Sequence, residues 1–167
     1  MERLWAPWRM TFIKGPKPSG CIFCVKPGEN NDAGNFILYK GKKSFIIMNI
    51  YPYNHSHLMV CPYEHAAGID LLSQDTANAM MEDVQDTVRI LKEAFQPDGF
   101  NIGVNMGKAA GAGIEDHVHI HIVPRWAGDT NFMPLLAEVR AMPEHLESTY
   151  EKLLPLFITL HEKREKR

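Results

Sequence analysis

No stretch of the 167-residue chain approaches the roughly 18 consecutive apolar residues that a membrane span needs, and Met1-Glu2-Arg3-Leu4-Trp5 lacks the apolar run of a signal peptide. Cysteine is scarce too. Three residues form an odd, sparse set that makes no disulfide framework and suits a compartment that keeps thiols reduced. These absences predict a cytoplasmic protein with no membrane association. Net charge is small: 18 Lys and Arg against 20 Asp and Glu leave −2, no basic footprint for a nucleic-acid polymer, although a local patch can still hold phosphates. Internal repeats are missing as well. With 45% hydrophobic and 23% charged residues, the chain fits one globular domain with a real core.

What is present concentrates in His117-Val118-His119-Ile120-His121-Ile122-Val123-Pro124-Arg125-Trp126. In an extended strand this alternation sends three imidazoles to one face and the β-branched residues to the other. Imidazoles two residues apart then sit roughly 7 Å apart at the backbone, close enough to converge on one ligand. Histidine works near neutral pH as nucleophile, proton shuttle or metal ligand, so three in register point to chemistry. A second signal is Cys21-Ile22-Phe23-Cys24, whose spacing lets two thiolates grip one metal ion; a redox pair and coincidence are the alternatives. Cys61 lies in the apolar run Leu58-Met59-Val60-Cys61 and reads as a small buried hydrophobe.

Around these signals the chain alternates short strands with two helices. Trp5-Ala6-Pro7-Trp8-Arg9-Met10 reads as an extended arm packing on the body, followed by a turn-rich linker at 15–20. Strands are expected at Phe36 to Tyr39 and Ser44 to Met48, joined by the hairpin-like Lys40-Gly41-Lys42-Lys43. A third is expected from His55 to Val60, after the proline-broken Tyr51-Pro52-Tyr53-Asn54. From Ser73 to Gln96, Ala77, Met80, Met81, Val84, Val88, Leu91 and Phe95 recur at helical spacing, with Ser73 or Asp75 as cap and Pro97-Asp98-Gly99 as stop. Both methionines are expected in the core. Phe100 to Met106 alternates as a strand, 107–113 is a loop, and 127–132 is another. Pro143 to His161 reads as a second helix that Pro155 should kink or divide, and the charged end 163–167 as solvated. The pattern predicts an α+β domain with a mainly antiparallel sheet.

His117 to Val123 is similar to the defining motif of the histidine triad (HIT) superfamily, and the likeness extends from Cys21 to about Phe132. The resemblance implies a HIT-like α+β fold: a five-stranded mainly antiparallel sheet with a long helix and a C-terminal helix, its sheet joined to a second copy's in a homodimer. It divides the chain into an N-terminal arm at 1–20, the HIT domain at 21–132, and a C-terminal helical extension at 133–167 packed on the same domain. It also implies chemistry on the α-phosphate of nucleotides. Pro124-Arg125-Trp126, the 128–132 segment and the Trp-Ala-Pro-Trp-Arg arm resemble a bacterial branch that includes diadenosine tetraphosphate phosphorylases and hydrolases.

Carried over by position, the resemblance makes His119 the nucleophile that forms a nucleotidyl-histidine, cleaved in turn by water or phosphate. A bond from its other ring nitrogen to a backbone carbonyl would set the required tautomer. His121 and His57 should donate hydrogen bonds to the phosphoryl oxygens. His55 receives no role and reads as a surface or loop histidine. Asn49 matches the ribose-binding position, with turn chemistry as the alternative. Ile22, Phe23, Ile47 and Ile50 match the base pocket, with core packing an equal alternative, and Asn105 matches an asparagine that reaches the phosphates. Many relatives carry Gly-Gln-Ser or Gly-Gln-Thr before the triad, whereas Gly111-Ala112-Gly113-Ile114-Glu115-Asp116 offers only the backbone amides of Gly111 and Gly113 to an anion. That departure leaves phosphate as a candidate acceptor beside water.

Cys21, Cys24, His65 and His117 match positions that hold a structural zinc in several relatives. Two thiolates and two imidazoles complete a tetrahedral shell, which leaves no open position for catalysis. One zinc per chain and no organic cofactor are therefore expected. The implied activity is nucleotidyl hydrolysis or transfer on a dinucleoside polyphosphate such as diadenosine tetraphosphate. The alternatives are an adenosine phosphoramidate-type hydrolase, a zinc hydrolase using the triad as ligands, and a nucleotide-binding module with vestigial catalysis.

Overall fold

The computed structural model of the protein describes residues 20–129 and 144–166. Five strands, β1 (Ile37–Lys40), β2 (Ser44–Met48), β3 (Leu58–Pro62), β4 (Gly99–Val104) and β5 (Ile120–Arg125), form one sheet in the order β1-β2-β3-β5-β4. Every neighbouring pair is antiparallel. The β1–β2 hairpin closes at Gly41, whose N–H donates to the Ser44 carbonyl at 2.8 Å; a Cβ there would lie 3.0 Å from that oxygen, which is why a glycine serves.

The alternation of side chains gives the sheet two different faces. On one, Ile46, Met48, Leu58, Val60 and Ile122 bury against α2 (Gln74–Phe95) and α3 (Leu146–Glu165). On the other, Phe45, Ile47, Met59 and Cys61 pack with Phe23 of the short helix α1 (Ile22–Val25). His121 pairs with Met59, so β5 presents this histidine on the second face. The α3 helix lies on α2 and β1, which makes the C-terminal segment part of the same body. Of the expected divisions, most of the N-terminal arm (1–19) and the segment 130–143 lie outside the described residues.

The expected α2 forms as its spacing dictates. Ser73 caps it, its side chain accepting from the Thr76 N–H, and Gln96 closes it in the left-handed region before Pro97. Four expectations need correction. Met80 is buried but Met81 is 53% exposed, because the buried stripe runs through Thr76, Met80, Asp83, Val84 and Thr87 instead. Helix α3 is not divided at Pro155 but continues through it. Pro155 is exposed, so water can reach the carbonyl it leaves without an N–H, while buried Leu153 and Phe157 on either side hold the helix down. The third strand starts at Leu58 rather than His55, because Ser56 takes a positive φ of 56° that breaks extension. Strand β5 starts at Ile120, since the Val118 N–H bonds the Ala66 carbonyl of a loop rather than a strand partner.

Candidate active site and metal centre

His119 and His121 hold their rings 4.7 Å apart, centroid to centroid, on the α1 side of the sheet. Although only His121 lies within β5, the backbone approaching it keeps His117, His119 and His121 close together. His119 Nδ1 sits 2.9 Å from the carbonyl oxygen of His117. A ring nitrogen at that distance from a carbonyl carries the proton and donates, so Nε2 keeps its lone pair. Burial holds the His119 pKa below its ordinary value, against the opposing pull of the carbonyl bond. The Phe23 ring lies 4.9 Å from that of His119 and fixes its side.

His57 is almost fully buried beside them. Two donors reach its Nδ1: the Tyr53 backbone N–H at 3.1 Å and the Asn49 side-chain amide at 3.3 Å. Nδ1 therefore accepts, Nε2 carries the hydrogen, and it donates to His121 Nδ1 at 3.0 Å. With Nδ1 accepting, neutral His121 carries its own hydrogen on Nε2. The His57 pKa is pushed down to about 3, by burial first and then by the neighbouring His121 and His119. His57 is thus a neutral N–H donor throughout the physiological range.

The remaining expected site residues divide. Phe23 and Ile47 are buried together, with Ile22 partly buried against them, so these three share one apolar wall, while Ile50 is 38% exposed. Asn49 is half-buried, and its Oδ1 accepts from the Tyr51 N–H at 2.9 Å, so the amide holds the turn as well as His57. Asn105 follows the end of β4. There Gly103 pairs with His121 and Val104 with Ile120, and continuing the register brings Asn105 level with His119. Gly111, at a φ of 82°, and Gly113 are exposed in the loop that leads to Ile114, which packs against the Phe23 cluster.

Cys21, Cys24, His65 and His117 come together at the other end of the segment, with their ligand atoms all within 4.8 Å of one another. His117 Nε2 donates to the Pro62 carbonyl at 2.9 Å, which leaves Nδ1 unprotonated and facing the cluster. From it Cys21 Sγ lies at 3.3 Å, Cys24 Sγ at 3.5 Å and His65 Nδ1 at 3.2 Å, and Cys24 Sγ lies 3.3 Å from His65 Nδ1. A tetrahedral ion with metal–nitrogen bonds near 2.0 Å and metal–sulfur bonds near 2.3 Å needs ligand separations of about 3.3–3.8 Å. The four residues fit a metal.

Sequence reasoning missed the turn that carries His57. Tyr53 stacks on the His57 ring at 4.9 Å and 28°. Asn54 is buried and donates to the Pro124 carbonyl at 3.0 Å and to Asp129 at 2.8 Å; Asp129 in turn receives Arg125 through two bonds. His55, expected at the surface or in a loop, does lie in the turn but is 9% exposed, with its ring edge-on to Phe95. The aromatic and proline-rich composition of 51–54 marks an ordered turn, but nothing in it names partners some 70 residues away.

The HIT domain family model matches residues 30–128. An AP-4-A phosphorylase of Mycobacterium tuberculosis is 32% identical over 89% of this chain and 80% of its own length. A bis(5'-adenosyl)-triphosphatase of Dictyostelium discoideum is 30% identical over 72% of the chain and 85% of its own length. Among solved structures, a Zn-bound histidine triad family protein from Mycobacterium smegmatis superposes with a TM-score of 0.68 at 28% identity, covering 86% of this chain and 97% of the other.

Proposed function

Because the chain belongs to the HIT domain family, we propose that it is an enzyme transferring the nucleotidyl group of a dinucleoside polyphosphate, such as diadenosine tetraphosphate, through His119. The observation that carries this reading is the 2.9 Å bond from His119 Nδ1 to the His117 carbonyl, which turns an unprotonated Nε2 toward the substrate side. In the first step Nε2 bonds to the α-phosphorus while the bond to the bridging oxygen breaks and the remaining polyphosphate leaves. The Nε2–H of His121 donates to a phosphoryl oxygen as charge builds on it, and the Nε2–H of His57, which meets His121 Nδ1 at 3.0 Å, is shared with a second phosphoryl oxygen once the phosphate is bound. In the second step inorganic phosphate or water displaces His119 from phosphorus.

The apolar wall of Ile22, Phe23 and Ile47, with Ile50 at its exposed rim, is assigned to the base and Asn49 to the ribose. Asn105 and the amides of Gly111 and Gly113 are assigned to the phosphate chain. Phosphate is the favoured acceptor, a reading supported by the AP-4-A phosphorylase relative and by the absence of polar side chains at 111–114. Cys21, Cys24, His65 and His117 hold a structural zinc, supported by their complete donor set and by the Zn-bound relative. When bound, zinc ties α1 and the His65 loop to the start of the triad segment. The chain acts as a homodimer through the open edge of β4, where Ile102 is 48% exposed and Met106 just beyond is 41% exposed. Its three free cysteines fit the reducing cytoplasm.

Incubation with labelled diadenosine tetraphosphate and an alkaline quench should trap label on His119, and full activity in His119→Ala would overturn the mechanism. Product analysis separates the outcomes. ADP formed only with phosphate present identifies a phosphorylase, AMP with ATP a hydrolase, and turnover of an adenosine phosphoramidate alone the second reading, to which a monophosphoramidase relative at 33% identity lends support.

A further inference from the structure

Two histidines two residues apart in an extended strand point to the same face. His55 and His57 do not. Between them Ser56 sits at φ 56°, a left-handed conformation that is strained for a non-glycine residue and persists only where its surroundings impose it. The reversal sends His57 to the phosphate face and His55 toward the helices, where its ring lies 4.9 Å from that of Phe95 and 5.8 Å from that of Trp126.

There His55 is fully occupied. Its Nε2–H donates to the Glu144 carboxylate at 3.2 Å, and its Nδ1 accepts from the Ser56 hydroxyl at 3.0 Å. Thr149 of α3 stands 3.2 Å from His55 Nε2 and donates to the same Glu144 carboxylate at 3.0 Å, while Lys152 pairs with that carboxylate from outside. On the opposite side of Ser56, the Tyr53 N–H fixes His57 Nδ1. The strained residue is therefore clamped from both neighbours, and one of the two clamps is made by Glu144 and by Thr149 of the C-terminal helix that follows it.

We propose that His55 is a positioning residue for His57, and that Glu144 and, one turn into α3, Thr149 take part in catalysis by holding the 53–57 turn in the conformation that aims the His57 N–H at the phosphoryl group. This rests on the role given to His57 above. The clamp touches no substrate, so loosening it should impair the chemical step and spare binding.

The test is a double-mutant cycle in the full-length protein, scored per active site by counting trapped nucleotidyl-enzyme. His55→Leu keeps the volume and removes both bonds; kcat should fall roughly 10- to 100-fold, the scale of a misplaced catalytic group, with KM changed less than about twofold. His55→Gln restores a donor to Glu144 and should recover most of the loss. Added to His57→Gln, His55→Leu should cost nothing further, because the group it positions is already gone. Independent, multiplying losses would overturn the proposal, as would unchanged kcat in His55→Leu. Should His55→Leu fail to fold, Glu144→Ala takes its place in the cycle, at a position open to solvent on one side. A His57→Gln protein with full turnover would instead sink the role of His57 itself, which separates the two failures.

Discussion

His117 and His119 are two residues apart on the same segment, yet the protein holds them in opposite tautomers. His117 gives its Nε2–H to the Pro62 carbonyl and turns a bare Nδ1 to Cys21, Cys24 and His65. His119 gives its Nδ1–H to the carbonyl of His117 and keeps a bare Nε2. Each lone pair is assigned by which carbonyl lies within reach, and the carbonyl that sets His119 belongs to the metal-cluster residue itself. A run of alternating histidines thus becomes two sites, one a cluster of metal-capable ligands and one a bare Nε2 beside two further imidazoles, through backbone contacts alone.

Removing the proposed nucleophile should separate the two ends most sharply. His119→Ala is expected to lower kcat by at least roughly 10⁴-fold, the usual scale for losing a covalent catalyst, while metal content by elemental analysis stays unchanged. A parallel loss of metal would show the two ends to be one unit. At the donor side, His57→Gln should lower kcat by about 10²–10³-fold, as expected for one donor to a developing phosphoryl charge. Single-turnover kinetics should place that loss in formation of the nucleotidyl-enzyme.

The clamp end should answer differently. Cys24→Ser replaces a thiolate with a poor ligand at an exposed position, so metal should drop from about one per chain toward zero, with a loss of several kcal/mol in unfolding free energy. Turnover per folded molecule should change no more than about threefold, because no group at the clamp donates to the phosphate. Urea unfolding beside kinetics at a temperature where the variant is folded checks both halves. Abolished turnover in a folded, metal-free protein would place the metal in the chemistry.

Much of this was legible because it is local. The apolar spacing from Ala77 to Phe95, the Ser73 cap and the Pro97 stop define α2 without reference to anything distant, and the alternation of 117–121 announces a histidine face. The rest depends on partners that the chain brings in from afar. Ser44 donates to Asp83 at 2.6 Å across 39 residues, and Arg164 bonds the same carboxylate across 81, which puts a charged residue inside a stripe that apolar periodicity would assign to Met81. His55 is the counterpart in the site. Its neighbours on the chain mark a turn, while its burial is decided by Glu144 and Thr149, some 90 residues on. The tautomer of His117 is equally invisible in a string of letters, since it depends on an oxygen within 3 Å, whereas that of His119 was legible only through the family resemblance.

The smallest effect distinguishes the donor from the clamp by acid. Folded His57 has a pKa of about 3, against an ordinary value near 6.5, because burial penalises its charged form. Below pH 6.5 the unfolded chain takes up this proton and the folded chain does not, so acid favours unfolding by up to about 1 kcal/mol per pH unit until pH 3. Above pH 6.5 both states are neutral and the contribution to pH dependence vanishes. Metal binding at the proposed clamp would itself depend on pH, so the wild-type profile alone mixes the two ends. The difference between wild type and His57→Gln isolates the donor, since glutamine does not titrate and the metal ligands are common to both. The stability advantage of wild type over His57→Gln, measured by urea unfolding, should be constant from pH 8 to 7 and shrink steadily from pH 6.5 to 5. A constant gap down to pH 5 would mean that His57 takes up its proton in the folded protein as readily as in the unfolded chain, and is therefore no permanently neutral donor.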